Sequence, residues 1–461
     1  MRTLMSSGRK ASRTVGAFVG ACVALAACSS LLDVKNPNNV PEDALNDPAA
    51  AAAIASGVLA STTRMLTATT TPYAVATDEL DWIGSRDAWL ELDRGIIDNH
   101  FNEFSDQAFP FAGEARYLGD EAIQKLVFFD SSGSIVTKPA LNHLANAYLY
   151  TAIVYASIAD MYDDFAFSSK QDFAAPIGRA NMGRLYDTAV VYLDRALVIA
   201  NAGTGATFTS LRYPITAYRA RVKHAKAVWQ SITPELALGV ARPLTLINDA
   251  GANADAAAAI ALGTADQSYT LANSVGSAAG INVWFEVNGR NEQRISLKYC
   301  PTVAAPTVGG LIDPITGAHD IRAAALCAAF RGFGTQAGTF TLTSTRELRL
   351  ILAEAALATA NNAEVQNQIN LVRALDAGRT AWDGATPAPL AMLQHERQAQ
   401  LWLMRRRLAD MHRFNLKDTP IWTTDANFAS AVNVNGLLFP IPQVERLGNP
   451  CVNDPAAAGC Q

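Results

Sequence analysis

The segment from Leu393 to Phe414 constrains the fold more than any other part of the chain. Its apolar residues recur at helical spacing and form one stripe: Leu393, Leu401, Met404, Leu408 and Met411. Arginines surround that stripe: Arg397, Arg405, Arg406, Arg407 and Arg413. Asp410 follows Arg407 by three residues, within pairing reach on a helix surface. We predict one long, partly buried helix whose arginines fix its packing, and we favour this role over an anion site.

The composition and the remaining periodic segments favour a mainly α protein. Half of the 461 residues are hydrophobic and 17% are charged, enough to bury a large core. Alternation of large and small apolar residues predicts helices at about 139–161, 182–200 and 215–231. Such pairs are tetratricopeptide-like, although no clean 34-residue period is present. We predict four helix pairs in a curved scaffold (about 42–66, 139–234 and 344–378) with a packed irregular subdomain (about 235–343 and 379–461).

Local predictions accompany this division. Residues 67–136 combine threonines, glycines and a local concentration of tryptophan and charge, which favours irregular structure with short helices. Residues 282–286 and 294–299 read as β-strands. Asp47 and Pro48 are typical of a helix start.

The N-terminus predicts export. Residues 1–27 consist of a basic region followed by a short apolar stretch, and Leu25-Ala26-Ala27-Cys28 is typical of a lipoprotein signal in which Cys28 becomes lipidated. An ordinary signal peptidase site is the alternative. Removing residues 1–27, which hold four basic residues and no acid, changes the net charge from −5 to −9. An acidic chain without basic tracts argues against nucleic-acid binding and leaves the lipid anchor as the only predicted membrane attachment.

Four cysteines remain in the exported chain. An even number outside the cytosol favours two disulfides, and we pair Cys300 with Cys327 and Cys451 with Cys460. Free thiols are an alternative. Zinc is a weaker one, because the chain has no CxxC motif and no histidine at ligand spacing.

Several motifs resemble those of the SusD/RagB family. They occur in the family's order, at Leu32-Asp33 with Asn36-Pro37, Ala353-Glu354-Ala355, Ile369-Asn370 with Arg373, the arginine-rich segment, and residues 438–442 with Asn449-Pro450. The resemblance implies one SusD-like domain over residues 28–461. It further implies a surface lipoprotein of the outer membrane that binds a glycan or other oligomer and delivers it to a SusC-like TonB-dependent transporter.

Candidate ligand residues are those where tryptophan gathers with polar groups outside the periodic helices. The first group is Trp82, Arg86, Asp87 and Trp89, and the second centres on Trp284 and Tyr299. An indole face stacks on the apolar surface of a sugar while polar groups take its hydroxyls. The alternative is that Trp82 and Trp89, seven residues apart, share a helix face in the core.

No catalytic motif and no metal-binding spacing stands out, so we predict a binding protein without cofactor or metal. Two rival functions remain open at this point. One is a lipid-anchored tetratricopeptide scaffold that binds proteins of the cell envelope. The other is a helical glycan-active enzyme, for which no carboxylate pair can be nominated.

Overall fold

The computed structural model describes residues 45–132, 141–169, 172–232, 244–273, 281–304, 306–334, 338–414, 416 and 437–460. The predicted signal peptide, Cys28 and the motif at 32–37 lie outside the described residues. Contacts divide the chain into one unit that ends at Ala50 and another that begins at Ala51. In the first, a 3-10 turn spans Pro48–Ala50, and the Asp47 side chain accepts from the Ala49 N–H at 2.9 Å.

Helices dominate the second unit, which confirms the mainly α prediction. The described helices are α1 (Ala51–Ala76), α2 (Asp87–Asp93), α3 (Glu103–Ser131), α4 (Leu141–Met161), α5 (Gly183–Ala202), α6 (Ala206–Ile232), α7 (Ala250–Leu262), α8 (Val283–Asn288), α9 (Ile321–Gly332), α10 (Thr345–Ala358), α11 (Asn362–Arg373), α12 (Pro389–Gln400), α13 (Arg407–Arg413), α14 (Gln443–Gly448) and α15 (Pro450–Asn453). The strands are β1 (Leu80–Trp82), β2 (Ser268–Ala272), β3 (Gln293–Ile295) and β4 (Thr339–Ser344).

Helices that follow one another in the chain pack against one another. The main pairs are α3 with α4, α4 with α5, α5 with α6, α6 with α7, and α10 with α11, while α1 packs on both α3 and α4. Small residues make this close approach possible. Ala145, Ala152 and Ala159 are fully or almost fully buried along α4, and a Cβ at Gly119 of α3 would collide with Thr151 of α4. The predicted grouping into scaffold and irregular subdomain stays a prediction.

Two small antiparallel sheets join distant parts of the chain. Strand β1 pairs with β3, placing Trp82 opposite Gln293 and Leu80 opposite Ile295. Strand β2 pairs with β4, with an irregularity at Tyr269 and Thr270. The β1–β3 pairing brings the two predicted ligand regions together, since each supplies one strand.

The expectation of irregular structure over residues 67–136 is wrong for most of that range. Helix α1 runs on to Ala76, and α3 alone covers 29 residues. The threonines of α1 stay helical because their hydroxyls donate to the preceding turn, as Thr67 does to the Thr63 carbonyl and Thr69 to the Met65 carbonyl, both at 2.8 Å. By length and composition α1 is long enough to cross a membrane. Residues 65–76 are nevertheless buried throughout, as in a core helix.

Residues 282–286 are also not a strand. Asn282 is the N-cap of α8, and its side chain accepts from the N–H groups of Trp284 and Phe285. Asparagine at this position satisfies N–H groups that have no partner within the helix. The strand predicted at 294–299 is present as β3 but is shorter, since it spans only Gln293–Ile295.

The arginine-rich segment is not one helix. Helix α12 ends at Gln400 and α13 begins at Arg407. Between them, Leu403 and Arg405 adopt left-handed φ angles of 57° and 59°, which side chains other than glycine take up only when the surroundings hold them there. Arg405 provides such a hold, because it is buried and donates to the Thr69 hydroxyl and, at 3.1 Å, to the Ser157 carbonyl.

The buried arginines on both sides of this break find carboxylate partners. Arg413 pairs with Glu354 of α10 and with Asp410, and Arg397 pairs with Asp410 at 2.8 Å. His224 Nε2 lies 3.1 Å from the same Glu354. We call these five residues the arginine cluster. The predicted Arg407–Asp410 pair is wrong: within the described part of the chain no ion pair joins them, because Asp410 faces Arg397 and Arg413 instead.

Burial alone would raise the pKa of Glu354, but the positive charges of Arg413 and Arg397 and the hydrogen bond to His224 hold that pKa well below its ordinary value. Burial lowers the pKa of His224, so this residue acts as a hydrogen-bonding partner rather than as a fixed cation. The pKa of Asp410 is lowered in the same way, since Arg397 and Arg413 outweigh the effect of burial. Both carboxylates are therefore ionised at neutral pH. The cations of the cluster are neutralised from within the fold, which supports a structural role.

Candidate ligand-binding site

The six predicted ligand residues do not form one surface. Trp82, Arg86, Asp87 and Trp89 lie on β1, on α2 and between them. Trp284 lies on α8, and Tyr299 follows β3. The two groups also differ in the surface that they leave accessible.

Trp89 is a core residue, so its assignment to the ligand surface is wrong. Its side chain is 0% exposed, and its ring stacks on Phe104 with centroids 3.4 Å apart. Arg86 covers the same ring at 4.4 Å from its centroid and pairs with Glu103 at 2.8 Å. These contacts attach α2 to the start of α3 and leave no indole face for a ligand.

Trp82 and Asp87 retain accessible surface. Trp82 is half-buried, and its backbone N–H donates to the Asp93 carboxylate at 2.9 Å. Asp87 is exposed in the first turn of α2, where a negative charge suits the helix dipole.

Buried acids lie behind β1. Burial raises the pKa of Asp78 to about 6, that of Glu79 to about 7 and that of Asp93 to about 7. Opposing contributions come from Lys298, which pairs with Asp78, and from the Leu403 N–H, which donates to Glu79 at 2.7 Å. This region is therefore strongly polar but closed. In the described residues, no group of three or more His, Cys, Asp or Glu side chains could hold a metal ion.

Tyr299 is also a core residue, contrary to its predicted role. It is 3% exposed, and it adjoins the Cys300–Cys327 disulfide, whose Cα atoms are 6.2 Å apart. Its ring lies 6.2 Å from that of Trp402, so it supports Trp402 from behind. A second disulfide joins Cys451 to Cys460.

Trp284 lines a cavity of about 110 Å³, which we call the aromatic pocket. Helices α8 and α9, strand β4, the end of α1 and the break between α12 and α13 all contribute to its lining. The described lining residues are Thr70, Val283, Trp284, Leu326, Ala329, Phe330, Phe333, Thr339, Phe340, Thr341, Trp402 and Leu403. None of these carries a charge.

The walls of the aromatic pocket are a connected set of rings. Trp284 stacks on Phe330 with centroids 5.9 Å apart and meets the edge of Phe340 at 4.9 Å. Phe330 in turn meets Trp402 edge-on at 5.3 Å. Trp402 is fixed because its Nε1 donates to the Glu79 carbonyl at 3.1 Å. The walls are therefore buried and held in place by the core.

The opening and the interior of the pocket differ in exposure. Phe333, Ala329 and Thr339 are exposed and form the opening. Inside, Thr70 is 2% exposed and Trp284 is 3% exposed. The Thr70 Oγ1 and the Trp284 Nε1 have no hydrogen-bond partner in the structure. Both atoms are covered by protein, so neither is presented to the cavity, whose accessible surface comes from the aromatic and aliphatic side chains.

Most of this pocket was not predicted from the sequence. Phe330, Phe333 and Phe340 lie near an alanine-rich helix that offers little signal, although Phe330 and Phe333 at a spacing of three indicate one helix face. Trp402 was treated as part of the arginine-rich segment. Gly338 is needed beside Trp284, because a Cβ there would collide with the indole. Only the fold brings these positions together.

Solved structures of SusD superfamily proteins share this architecture. A SusD superfamily protein from Bacteroides thetaiotaomicron matches with a TM-score of 0.58 and 14% identity, over 86% of this chain and 98% of its own. A putative sugar binding protein from Bacteroides vulgatus matches with a TM-score of 0.57 and 13% identity, over 88% of this chain and 97% of its own. A SusD-like carbohydrate binding protein from the same organism matches with a TM-score of 0.50 and 13% identity, over the same shares.

The chain therefore has the SusD fold. The likeness extends over most of its length, and it confirms at the level of the fold the resemblance carried by the sequence motifs. No protein-family model matches the chain, and no curated protein matches it.

Proposed function

We propose that this chain is a lipid-anchored, nutrient-binding protein of the outer membrane. In this proposal it binds a glycan or other oligomer and delivers it to a SusC-like TonB-dependent transporter. The observation that carries the proposal is the SusD fold, shared over 88% of the chain with solved proteins described as sugar binding and carbohydrate binding. The aromatic pocket supplies a concave site of the kind that binding requires.

Binding without turnover fits the chemistry of this pocket. Its described lining offers aromatic faces and threonine hydroxyls but no carboxylate, histidine or cysteine. A glycosidase needs two carboxyl groups on either side of the scissile bond. We therefore propose a carrier rather than an enzyme.

The anchor can be tested directly. Cys28→Ala removes the residue proposed to carry the lipid, and we expect the protein to leave the membrane fraction because a lipidated cysteine is its proposed attachment. Cell fractionation of a strain that lacks the proposed SusC-like transporter measures this. A variant that stays with the membrane there would contradict the proposed anchor.

The position of the ligand can be tested at the opening of the aromatic pocket. Phe333 is 43% exposed, so Phe333→Ala should preserve the fold and weaken oligosaccharide binding several-fold, about 1 kcal/mol for one lost stacking contact. Phe173, at 46% exposed and outside the pocket lining, provides the matched control Phe173→Ala.

Calorimetric titration of both variants with an oligosaccharide panel separates the outcomes. A loss with Phe333→Ala alone supports the aromatic pocket. Equal binding by both variants, together with a loss for Trp82→Ala, would move the site to β1. No binding of any oligosaccharide by the wild type would contradict the glycan ligand itself.

A further inference from the structure

Strand β4 belongs to a sheet of two strands in the described part of the chain, so one of its edges has no strand beside it. The register shows which residues face that free edge. The Asn273 N–H donates to the Gly338 carbonyl at 2.8 Å, so these two residues form a hydrogen-bonded pair. In an antiparallel ladder such pairs alternate with pairs whose N–H and C=O groups point away from the partner strand. Thr339 and Thr341 therefore direct their backbone groups to the free edge.

The free edge of β4 borders the aromatic pocket. Successive side chains of a strand point to opposite faces, yet the consecutive residues Thr339, Phe340 and Thr341 all line the pocket, and no described residue of β2 does. A cavity that touches both faces of β4 without touching β2 adjoins the free edge. Further along, Arg221 of α6 donates to the Leu342 carbonyl and closes the edge. The open stretch is therefore 339–341.

The sequence of β4, Thr-Phe-Thr-Leu-Thr-Ser, lacks the features that normally protect an exposed edge. Natural edges are kept from pairing by charged side chains, by proline or by a bulge. Strand β4 has no charge and no proline, and its β-branched and aromatic residues favour the extended conformation. The irregularity in its pairing lies between Thr341 and Thr343, beyond the open stretch. The open stretch can therefore accept another strand.

The accessible part of the aromatic pocket is largely aliphatic. Leu326 and Leu403 are half-buried and Ala329 is exposed, whereas the rings of Trp284 and Trp402 behind them are at most 7% exposed. None of the described lining residues carries a charge. An apolar cavity of roughly 150 Å³ holds one benzene molecule, so the pocket, at about 110 Å³, has room for one aliphatic side chain and not for a polymer chain.

We infer that the free edge of β4 binds an extended oligopeptide as a third strand, with one aliphatic side chain of the peptide in the aromatic pocket. An extended peptide supplies the alternating N–H and C=O groups that pair with a strand edge, and a glycan does not. Its side chains point alternately to the two faces, so one residue enters the pocket and its neighbours stay in solvent. The inference rests on the proposed function, and it makes the carried oligomer a peptide.

The experiment uses the mature chain and the blocked peptide acetyl-Thr-Thr-Leu-Thr-Thr-amide, called the leucine peptide, in calorimetric titrations. The alanine peptide, which has alanine in place of the central leucine, is its control. We expect saturable binding of the leucine peptide, at least ten times tighter than that of the alanine peptide, because the leucine side chain buries more apolar surface.

Backbone pairing predicts an alternating pattern along the peptide. N-methylation removes one N–H group of the peptide and leaves its side chains in place. In an added strand, alternate N–H groups face the neighbouring strand and the others face away from it. Single N-methyl groups at successive positions should therefore weaken binding at least tenfold and less than twofold in turn. Uniform losses, or no loss at any position, would overturn the pairing with β4.

Thr339→Pro tests the free edge from the side of the protein. Proline lacks the N–H group that points to this edge, and it is tolerated as the first residue of a strand. Ala272→Pro is the matched control, because Ala272 is exposed, lies opposite Thr339 and directs its own N–H group to the far edge of β2. We expect Thr339→Pro to weaken the leucine peptide at least tenfold and Ala272→Pro to change its affinity less than twofold.

A blocking variant tests the pocket separately and leaves both strands unchanged. Ala329 is exposed at the opening, so Ala329→Trp should fill the entrance and lower the affinity for the leucine peptide to that for the alanine peptide. Ala324→Trp changes an exposed alanine of the same helix outside the lining and should leave both affinities unchanged. Thermal unfolding of each variant confirms that it is folded.

Failure of this inference and failure of the proposed function have different signatures. If oligosaccharides bind and the leucine peptide does not, the inference is wrong and the carrier function stands. If the peptide binds equally well to the wild type, Thr339→Pro and Ala329→Trp, its site lies elsewhere and the inference is again wrong. If the peptide binds with the alternating pattern while Cys28→Ala stays with the membrane, the inference stands and the proposed anchor is wrong.

Discussion

The arginine cluster and the aromatic pocket lie beside the same stretch of chain and contrast in every other respect. In the arginine cluster, Glu354 and Asp410 are buried and paired with arginine, so the charges are satisfied within the fold. In the aromatic pocket, which Trp402 and Leu403 help to line, open volume remains and two buried polar atoms have no partner. The contrast teaches that a dense cluster of charges can belong wholly to the structure of the fold, while uncharged side chains surround the open volume.

Glu79 lies against the break between α12 and α13. Its carboxylate accepts the Leu403 N–H, and its carbonyl accepts from Trp402 Nε1 at 3.1 Å. It therefore holds the break between α12 and α13 in the position that gives the pocket its Trp402 wall. Changes in the arginine cluster should therefore alter stability, while changes in the aromatic pocket should alter ligand binding.

The largest expected effect is on the arginine cluster. Glu354→Gln leaves Arg413 and Arg397 without the charge that compensates their burial, and we expect a loss of about 3–5 kcal/mol in the free energy of unfolding. Glu121→Gln, at an exposed position of α3, is the control and should stay within about 0.5 kcal/mol. Denaturant unfolding measures both. Similar values for the two variants would show that the cluster is not structural.

The disulfides should follow next, and they differ in their effect on the pocket. Cys300→Ala with Cys327→Ala opens a link of sequence separation 27, for which loop entropy predicts a loss of roughly 3–4 kcal/mol. The link across nine residues between Cys451 and Cys460 predicts roughly 2–3 kcal/mol. Only the first pair fixes α9, which carries Phe330. Thermal unfolding and ligand titration should therefore show weaker binding for the first double variant alone.

A smaller effect concerns pH. Burial raises the pKa of Glu79 to about 7 in the native state, against about 4.3 for an unfolded glutamate. The native state thus binds this proton more tightly than the unfolded state does. Protonation therefore stabilises the fold, and the contribution of Glu79 to the free energy of unfolding increases as pH falls from about 7 to about 4.3. Glu79→Gln should remove this gain. Melting temperatures of wild type and variant across that range test it, and parallel curves would contradict the raised pKa.

The smallest expected effect is that of Arg407→Ala, and Asp410→Ala in the same segment provides the contrast. Arg407 is half-buried, and its Nε has no hydrogen-bond partner. Arg407→Ala should therefore change stability by no more than about 1 kcal/mol. Asp410→Ala should lose about 3 kcal/mol or more, because it leaves Arg397 and Arg413 without this carboxylate. Equal losses from the two variants would restore the Arg407–Asp410 pair predicted from sequence.

Local pattern was sufficient for the helical class of the fold and for individual helices. Helix α10 begins at Thr345, close to the start of the predicted segment 344–378, and the Ser344 hydroxyl accepts from the Glu347 N–H as an N-cap. The structure also joins the cysteines in the pairs chosen from their spacing. Periodicity failed at Leu401–Arg406, where the apolar spacing continued although the helix did not. There the side chains of Arg405 and Arg406 donate to Thr69, Ser157 and Asp160, which lie far away in the sequence.

The sequence by itself determined the helical architecture, because helix periodicity, caps and alanine content are local properties of the chain. Only the tertiary structure decided which tryptophans border a cavity. Trp89 and Trp284 both sit in short helices among polar neighbours, yet Trp89 stacks on Phe104 in the core, while Trp284 faces a cavity closed by Phe340 and Trp402. Whether an indole meets protein or open volume depends on residues outside its own helix, such as Phe104 for Trp89 and Trp402 for Trp284. That information is set by long-range packing, which no local pattern encodes.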